Sequence, residues 1–275
     1  MKAAKKPTHA PAKSRTVKGP GLSGLDGRHL LVIGGTRGLG RAFTRLAADL
    51  GARVSLVSRT GGMIAASTVR SYRADVTDAS AVESVISQVV AEQGKLNGLV
   101  FFQRHRGAEN AWAGNLAASL TATKDVIQAS CNRFDDSQDA SIVVLASSAA
   151  RFVADEQDEG YHAAKTGLIG LMRYFAFKLG PKGVRVNAVS PGTLLKEESK
   201  KFFLENRKLH RMYQRITPLR RMGTAEEVAQ VIAFLLSPAA SFLTGQEILV
   251  DGGVSLHWHE SMARAWLDQP LSRSD

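Results

Sequence analysis

The sequence contains very little cysteine, with Cys131 the one such residue among 275. A disulfide bond within the chain is therefore excluded, and this usage is typical of proteins kept in a reducing compartment. Long apolar runs are lacking too, because no stretch approaches the roughly 20 apolar residues that cross a bilayer. The first lysines are not followed by the apolar core of a secretory signal. These absences predict a cytoplasmic protein without a membrane partner.

Acidic residues are absent from the start of the chain. Residues 1–18 hold six basic residues, a local charge of +6 out of +11 for the whole sequence. Residues 1–27 also contain three prolines and four glycines, so we expect a flexible basic leader. A basic segment attracts acidic partners. The chain nevertheless shows no zinc-finger spacing and no RNA-binding signature, and we therefore expect no nucleic-acid partner.

After the leader, short apolar runs alternate with longer segments that carry apolar residues at helical spacing. The short runs predict strands at residues 29–34, 53–57, 98–102, 141–146, 184–189 and 247–250. The longer segments predict helices at residues 40–50, 82–92, 116–131, 161–179 and 225–236. Strands that alternate with helices form right-handed crossover units. We therefore predict one α/β domain over residues 28–255, a doubly wound parallel sheet with helices on both faces, and a C-terminal extension over residues 256–275.

A glycine-rich turn joins the first predicted strand to the first predicted helix. Glycine allows a tight turn and the close approach of a pyrophosphate, and the unsatisfied N–H groups at a helix start suit an anion. The spacing, Gly-x-x-x-Gly-x-Gly, differs from the usual Rossmann fingerprint, but the position between strand and helix is the right one. We therefore predict a Rossmann-type dinucleotide site at this turn. Its predicted contacts are Gly34, Thr36, Arg37, Gly38, Leu39 and Gly40.

The second strand ends at Ser58 and Arg59, where Rossmann sites for NAD usually carry an acidic side chain for the ribose. Ser58 has no charge, and Arg37 in the glycine-rich turn adds a second guanidinium group. Guanidinium groups bind phosphate through paired N–H donors, which suits the 2′-phosphate of NADP(H). The sequence therefore predicts NADPH/NADP+ as the cofactor.

Tyr161 and Lys165 carry the clearest chemical signal. Spacing of i and i+4 on a helix places the two side chains on one face. A nearby ammonium favours the phenolate form of a tyrosine and makes it a usable acid and base near neutral pH. Ser148 follows the strand at 141–146, and a hydroxyl at the carboxyl end of a strand is well placed to contact a ligand.

In this combination the chain resembles the short-chain dehydrogenase/reductase family over residues 28–254. The supporting motifs are the glycine-rich turn, Asp75-Val76, Ser148, Tyr161-x-x-x-Lys165, the run from Asn187 to Gly192, and the run from Gly245 to Gly253. The resemblance implies that Tyr161 protonates the substrate oxygen during reduction. It also implies that Lys165 lowers the pKa of Tyr161 and binds the nicotinamide ribose, while Ser148 holds the carbonyl. Further cofactor contacts are implied for Asp75 and Val76 at the adenine, and for Pro191, Gly192 and Thr193 near the nicotinamide.

The substrate implied by the resemblance is a small carbonyl compound or the matching alcohol. The segment at 194–218 is rich in lysine and arginine, and the subfamily most similar in sequence is that of the 3-oxoacyl carrier reductases. A carrier-linked or coenzyme A-linked substrate therefore stays open. His257 and His259 have no further ligand at metal-binding spacing, so we expect no metal.

A homotetramer or homodimer is the assembly implied by the resemblance, with the helices that contain Leu116 and Tyr161 at one interface. In the C-terminal extension, Trp258, Met262, Ala265 and Trp266 form an apolar helical pattern. We expect that face to contact a neighbouring subunit.

Two positions depart from the family pattern. The run Phe101-Phe102-Gln103-Arg104 stands where relatives have Asn-Asn-Ala-Gly. Ser119 takes the place of an asparagine that holds a water in the proton relay, and Asn115 is a less favoured substitute for it. These departures leave open an altered proton relay, an unusual substrate, or a dinucleotide-binding sensor or scaffold with weak catalysis. The basic leader, independently of them, leaves open a carrier or nucleic-acid binder.

Overall fold

The protein is described by a computed structural model that covers residues 24–62, 64–107, 109–136 and 139–266. The strands are β1 (His29–Ile33), β2 (Arg53–Ser58), β3 (Val69–Arg73), β4 (Gly98–Phe101), β5 (Ala140–Leu145), β6 (Val184–Pro191), β7 (Leu194–Leu195), β8 (Gly223–Thr224) and β9 (Glu247–Val250). The helices are α1 (Gly38–Asp49), α2 (Ala79–Gln93), α3 (Ala111–Asn115), α4 (Ala122–Ser130), α5 (Glu159–Leu179), α6 (Glu197–Glu205), α7 (Arg207–Ile216), α8 (Ala225–Leu236) and α9 (His259–Trp266). A π-helical turn, Leu116–Thr121, joins α3 to α4.

Seven strands form one parallel sheet in the order β3-β2-β1-β4-β5-β6-β9, which confirms the predicted Rossmann-type architecture. β7 and β8 pair separately as a short ribbon. The direction in which successive strands are added to the sheet reverses between β1 and β4. β2 pairs with one edge of β1, and β4 pairs with the other. At such a reversal the connections leave the carboxyl ends in opposite directions and open a crevice for a ligand.

Parallel strands must be covered on both faces, and β1 is accordingly buried along its whole length. Leu31 and Ile33 belong to a core with side chains from α2, α4 and α5. Leu30 and Val32 point the other way into a core formed with α1 and α8. Successive residues of a strand face opposite sides, so one apolar run supplies both cores.

The strands and helices expected from apolar patterning are present, with ends shifted by a few residues. β3 was not predicted because Tyr72 is the one buried residue of its five. The helix expected at 116–131 begins earlier, at Ala111, and its middle is π-helical. The charged segment at 194–218, which also fits a solvated pair of amphipathic helices, contains the polar helices α6 and α7, each with few buried residues.

The packed structure begins before residue 28, where the sequence analysis placed the domain boundary. Leu25 is 0% exposed and belongs to the α1–α8 core. The Gly27 N–H donates to the Gly51 carbonyl at 3.0 Å, which ties this segment to the end of α1. Residues 1–23 of the expected leader and residues 267–275 of the expected extension lie outside the described residues. Within the described part of the chain, no helix has the length and apolar character needed to cross a membrane.

Leu25→Ala is expected to lower the free energy of unfolding by about 2–4 kcal/mol, because it leaves a cavity in a packed core. Urea denaturation followed by circular dichroism measures the change. The control is Leu219→Ala at a side chain that is 65% exposed, for which we expect a change below about 0.5 kcal/mol. Equal effects of the two substitutions would contradict the assignment of Leu25 to the core.

Candidate active site

Three cavities lie along the carboxyl ends of the central strands. The glycine-loop cavity, lined by Gly34 and Arg59, has a volume of about 530 Å³. The tyrosine cavity, lined by Ser148 and Tyr161, has a volume of about 470 Å³. The C-terminal cavity, which Ser148 also lines, has a volume of about 310 Å³. The first two cavities share Phe102, and the second and third share Ser148. The three cavities therefore adjoin one another and form one continuous crevice.

The glycine-rich turn forms the wall between β1 and α1. Gly34 has a φ of +80°, and a β-carbon there would lie 2.7 Å from the backbone nitrogen of Gln103. A β-carbon at Gly40 would lie 2.8 Å from the Gly34 carbonyl oxygen. Larger residues are therefore excluded at both positions. The result is a backbone surface at the N-terminus of α1 that can hold a pyrophosphate.

All of the predicted cofactor contacts line the first two cavities. Ser58 lines the glycine-loop cavity, but its hydroxyl accepts the Gly61 N–H at 3.1 Å and thereby stabilises the turn after β2. The predicted contacts in the glycine-loop cavity are Gly34, Thr36, Arg37, Ser58, Arg59, Asp75 and Val76. Those in the tyrosine cavity are Arg37, Gly38, Leu39, Gly40, Tyr161, Lys165, Pro191, Gly192 and Thr193, and Ser148, predicted as a catalytic residue, lines the same cavity.

Two further arginines, which the sequence analysis did not select, line both cavities: Arg104 and Arg106. Burial lowers the pKa of Arg106, and the neighbouring guanidinium groups of Arg104 and Arg37 act in the same direction. The crevice thus concentrates positive charge, which fits a ligand with several phosphates. The position of both residues just after the carboxyl end of β4 is a sequence signal that could have identified them.

Tyr161 and Lys165 share one face of α5, as predicted from their spacing. The Lys165 Nζ atom lies 5.6 Å from the centroid of the Tyr161 ring. Lys165 is 4% exposed, and its ammonium donates to the Leu145 carbonyl at 2.8 Å. Burial lowers the pKa of Lys165 to about 8, with further contributions from Arg104 and Lys196. At neutral pH the amine is therefore still largely protonated and places a cation beside the phenol.

His162 and Asn115 position the residues of the tyrosine cavity, and sequence reasoning assigned neither this role. The His162 ring contacts the carbonyl oxygens of Ala149 at 2.9 Å and Ala154 at 3.1 Å, which joins the segment after Ser148 to α5. Asn115 donates to both carboxylate oxygens of Asp158, at 3.0 and 3.1 Å. Asp158 in turn accepts the Tyr161 N–H at the start of α5.

Ser119 does not reach the crevice. Its hydroxyl is buried without a hydrogen-bond partner, and the residue lines none of the three cavities. Ser119 lies in the π-helical turn, where its carbonyl accepts the Thr123 hydroxyl at 2.6 Å. The expected role of Ser119 in a proton relay runs through a bound water, and it stays a prediction.

The bulky residues after β4 leave the crevice open. Phe101 is buried in the core with α2, α4 and α5. Phe102 packs against Phe43 of α1 with ring centroids 5.6 Å apart and lines the cavities with the rest of its surface. Gln103 donates to the Thr123 hydroxyl at 3.0 Å. Each large side chain thus lies beside the crevice rather than across it.

The C-terminal segment contributes to the crevice instead of extending only toward a neighbouring subunit. His257, His259 and Met262 line the C-terminal cavity together with Tyr213 of α7. Trp258 is exposed. Met262 thus lines the cavity within one subunit, and the contact of this segment with a neighbouring subunit stays a prediction. The side chains of Ala265 and Trp266 lie outside the described residues.

Across the described ranges, no group of three or more histidine, cysteine, aspartate or glutamate side chains is arranged to hold a metal.

Comparison with known proteins identifies relatives over most of the chain. The family model described as enoyl-(acyl carrier protein) reductase matches residues 34–255. The 3-oxoacyl-acyl-carrier-protein reductase of Thermotoga maritima is 33% identical over 84% of this chain and 98% of its own. The L-rhamnose 1-dehydrogenase (NAD(P)(+)) of Azotobacter vinelandii is 29% identical over 84% of this chain and 97% of its own. The ligand-free structure of Thermoplasma acidophilum aldohexose dehydrogenase has a TM-score of 0.78 and 26% identity, covering 87% of this chain and 98% of that one.

The buried Lys165 predicts a specific dependence of stability on pH. Its pKa is about 8 in the folded protein against an ordinary value of 10.5, so between these values the unfolded chain binds more protons. The free energy of unfolding contributed by this residue should therefore rise with pH across that window, by roughly 1–3 kcal/mol. The measurement is urea denaturation of the wild type and Lys165→Met at several pH values.

The matched control for this titration is Lys178→Met, at an exposed lysine on the same helix. We expect the stability difference between the wild type and Lys178→Met to stay constant over the same pH range. A constant difference for Lys165→Met as well would show that the buried amine titrates normally.

Proposed function

The chain belongs to the short-chain dehydrogenase/reductase family of oxidoreductases, and on that premise we propose that it transfers a hydride between NADP(H) and a carbonyl or alcohol carbon. One observation carries the proposal: Ser148, Tyr161 and Lys165 line the same cavity beside the glycine-rich turn. Dinucleotide binding alone does not require a phenol next to a buried ammonium. The arrangement therefore favours an enzyme over a sensor or scaffold.

The chemistry assigned to the protein is proton transfer and orientation. Bound NADPH supplies the hydride. As the carbonyl carbon is reduced, its oxygen gains negative charge and takes the proton of the Tyr161 hydroxyl. Ser148 donates a hydrogen bond to the same oxygen and holds it toward the phenol. The Lys165 ammonium, fixed by the Leu145 carbonyl, stabilises the phenolate that remains. In the direction of alcohol oxidation, the phenolate takes the proton back.

NADP(H) is proposed over NAD(H) because of the charges around the glycine-loop cavity. Among the described residues that line it, Arg37, Arg59, Arg104 and Arg106 are basic and Asp75 is the one acidic residue. The Asp75 carboxylate accepts the N–H and the hydroxyl of Thr77, at 3.0 and 2.8 Å, and is therefore already bonded within the chain. A 2′-phosphate offers these guanidinium groups an anion that NAD(H) lacks.

The proposed substrate is a small carbonyl compound with an apolar body. The apolar side chains of the C-terminal cavity include Phe152, Ile216, Met222, Val254 and Met262. Arg221 in the same cavity is paired with Glu227 at 2.8 and 2.5 Å. Asp251 accepts the N–H groups of Gly253 and Ser255. Arg221 and Asp251 are thus bonded within the chain, while the Glu156 carboxylate also lines the cavity. Burial of apolar surface is the proposed source of affinity for the body of the substrate.

A carrier-linked or coenzyme A-linked acyl chain also belongs to this proposed substrate class.

We further propose a cytoplasmic homodimer or homotetramer. Exposed Tyr174 and Phe177 on α5 support the expectation that this helix contributes to a subunit interface.

Tyr161→Phe is expected to reduce turnover by at least about 100-fold, because the variant cannot donate or accept the proton. NADPH oxidation is measured with a panel of ketones and 3-oxoacyl thioesters. The dissociation constant for NADPH should stay within about threefold of the wild-type value, since the phenol is not expected to supply much of the binding energy. Tyr174→Phe, at an exposed tyrosine of the same helix, should keep full activity. A Tyr161→Phe variant with near wild-type turnover would refute the assignment.

Arg59→Asp is expected to lower kcat/KM with NADPH by about 10- to 100-fold, because a guanidinium–phosphate contact is replaced by repulsion. Activity with NADH, which has no 2′-phosphate, should change much less and serves as the internal control. Steady-state kinetics with both cofactors makes the comparison. A wild-type preference for NADH would contradict the proposed cofactor.

A further inference from the structure

A carboxylate of this chain lies at the start of α1. The Gly38 N–H donates to Glu198 Oε1 at 2.7 Å. A β-carbon at Gly38 would lie 3.4 Å from Glu198 Oε2, so both carboxylate oxygens face this turn. The first N–H groups of a helix lack partners within the helix and carry partial positive charge. In a dinucleotide site, this is where the pyrophosphate binds.

Two consecutive acidic residues attach α6 to α1. Glu197 pairs with Arg41 at 3.6 Å, and Glu198 contacts Gly38 on the preceding turn. The Lys196 N–H donates to the Ser199 hydroxyl at 3.2 Å, which stabilises the start of α6. The Glu198 carboxylate is therefore held at the glycine-rich turn by the placement of a helix and not by one flexible side chain alone.

The charges around Glu198 are those that a bound phosphate would meet. Burial by itself raises the pKa of Glu198. The amide N–H groups of its own residue and of Gly38, with Lys196 and Arg106, nevertheless keep that pKa below its ordinary value. Burial lowers the pKa of Lys196, and repulsion from Arg104 adds to this effect. One carboxylate thus partly neutralises a cluster of cations that also lines the tyrosine cavity.

We propose that Glu198 is an internal competitor for the pyrophosphate of the dinucleotide, and that Arg106 is a further cofactor-binding residue at the same place. The inference rests on the proposed function and extends it. The Gly38 N–H cannot donate fully to the Glu198 carboxylate and to a pyrophosphate at once, so cofactor binding must displace the Glu198 carboxylate from this N–H.

Dissociation constants test the proposal. They are measured by isothermal titration calorimetry with inorganic pyrophosphate, and by fluorescence titration with NADPH and NADH. Glu198→Gln should bind all three about three- to tenfold more tightly, because the competing charge is lost and the pyrophosphate is common to them. Arg106→Gln should bind all three more weakly by a similar factor. By contrast, substitution of Arg59 should change the dissociation constant for NADPH and leave those for NADH and pyrophosphate nearly unchanged.

Glu205→Gln is the matched control, since this residue is also on α6 and pairs with Lys201 at 3.8 Å. Its affinities should equal those of the wild type. Unchanged or weaker binding by Glu198→Gln would overturn the role of Glu198, and unchanged binding by Arg106→Gln would overturn that of Arg106. Tighter pyrophosphate binding by Glu198→Gln without any dinucleotide binding would support the inference while refuting the proposed function. Binding of neither ligand by any variant would overturn both.

Discussion

The close approach of backbone to backbone at the glycine-rich turn is the constraint on which the crevice depends. A β-carbon at Gly34 would lie 2.7 Å from the Gln103 backbone nitrogen, and one at Gly40 would lie 2.8 Å from the Gly34 carbonyl oxygen. Because no side chain intervenes, α1 starts directly at the carboxyl end of β1 and directs its free N–H groups into the crevice. The order reversal between β1 and β4 opens the sheet edge at the same point.

A second constraint is the burial of a cation. Desolvation disfavours the charged form of Lys165, and the Leu145 carbonyl and the Tyr161 ring are the groups that face it. With this lowered pKa of about 8, the Lys165 ammonium is still largely protonated at neutral pH, but the pKa lies only a little above that pH. The buried amine thus places a cation beside the phenol, at a cost in stability that the rest of the fold offsets.

The departures from the family pattern act in different ways. Phe101 packs in the core on one face of the sheet, and Phe102 packs against the core on the other face. The backbone that follows them still lies against Gly34. Arg104 adds a charge to the crevice in place of a small neutral residue. Ser119 turns inward in the π-helical segment, while the neighbouring Asn115 anchors Asp158 at the start of α5. The substitutions thus change the charge and support of the crevice without closing it.

The sequence by itself determined the architecture and the residues that carry the proposed chemistry. Alternating apolar runs specify the parallel sheet, the glycine-rich turn specifies the ligand edge, and the spacing of Tyr161 and Lys165 places them on one helix face, since all three signals are local. The weak pattern of β3 and the polar α6 gave no such signal. Only the tertiary structure brought Glu198 to Gly38, 160 positions apart in the chain, and folded Met262 over the substrate side. Contacts of that kind depend on how helices pack after the sheet has formed, and no local periodicity encodes them.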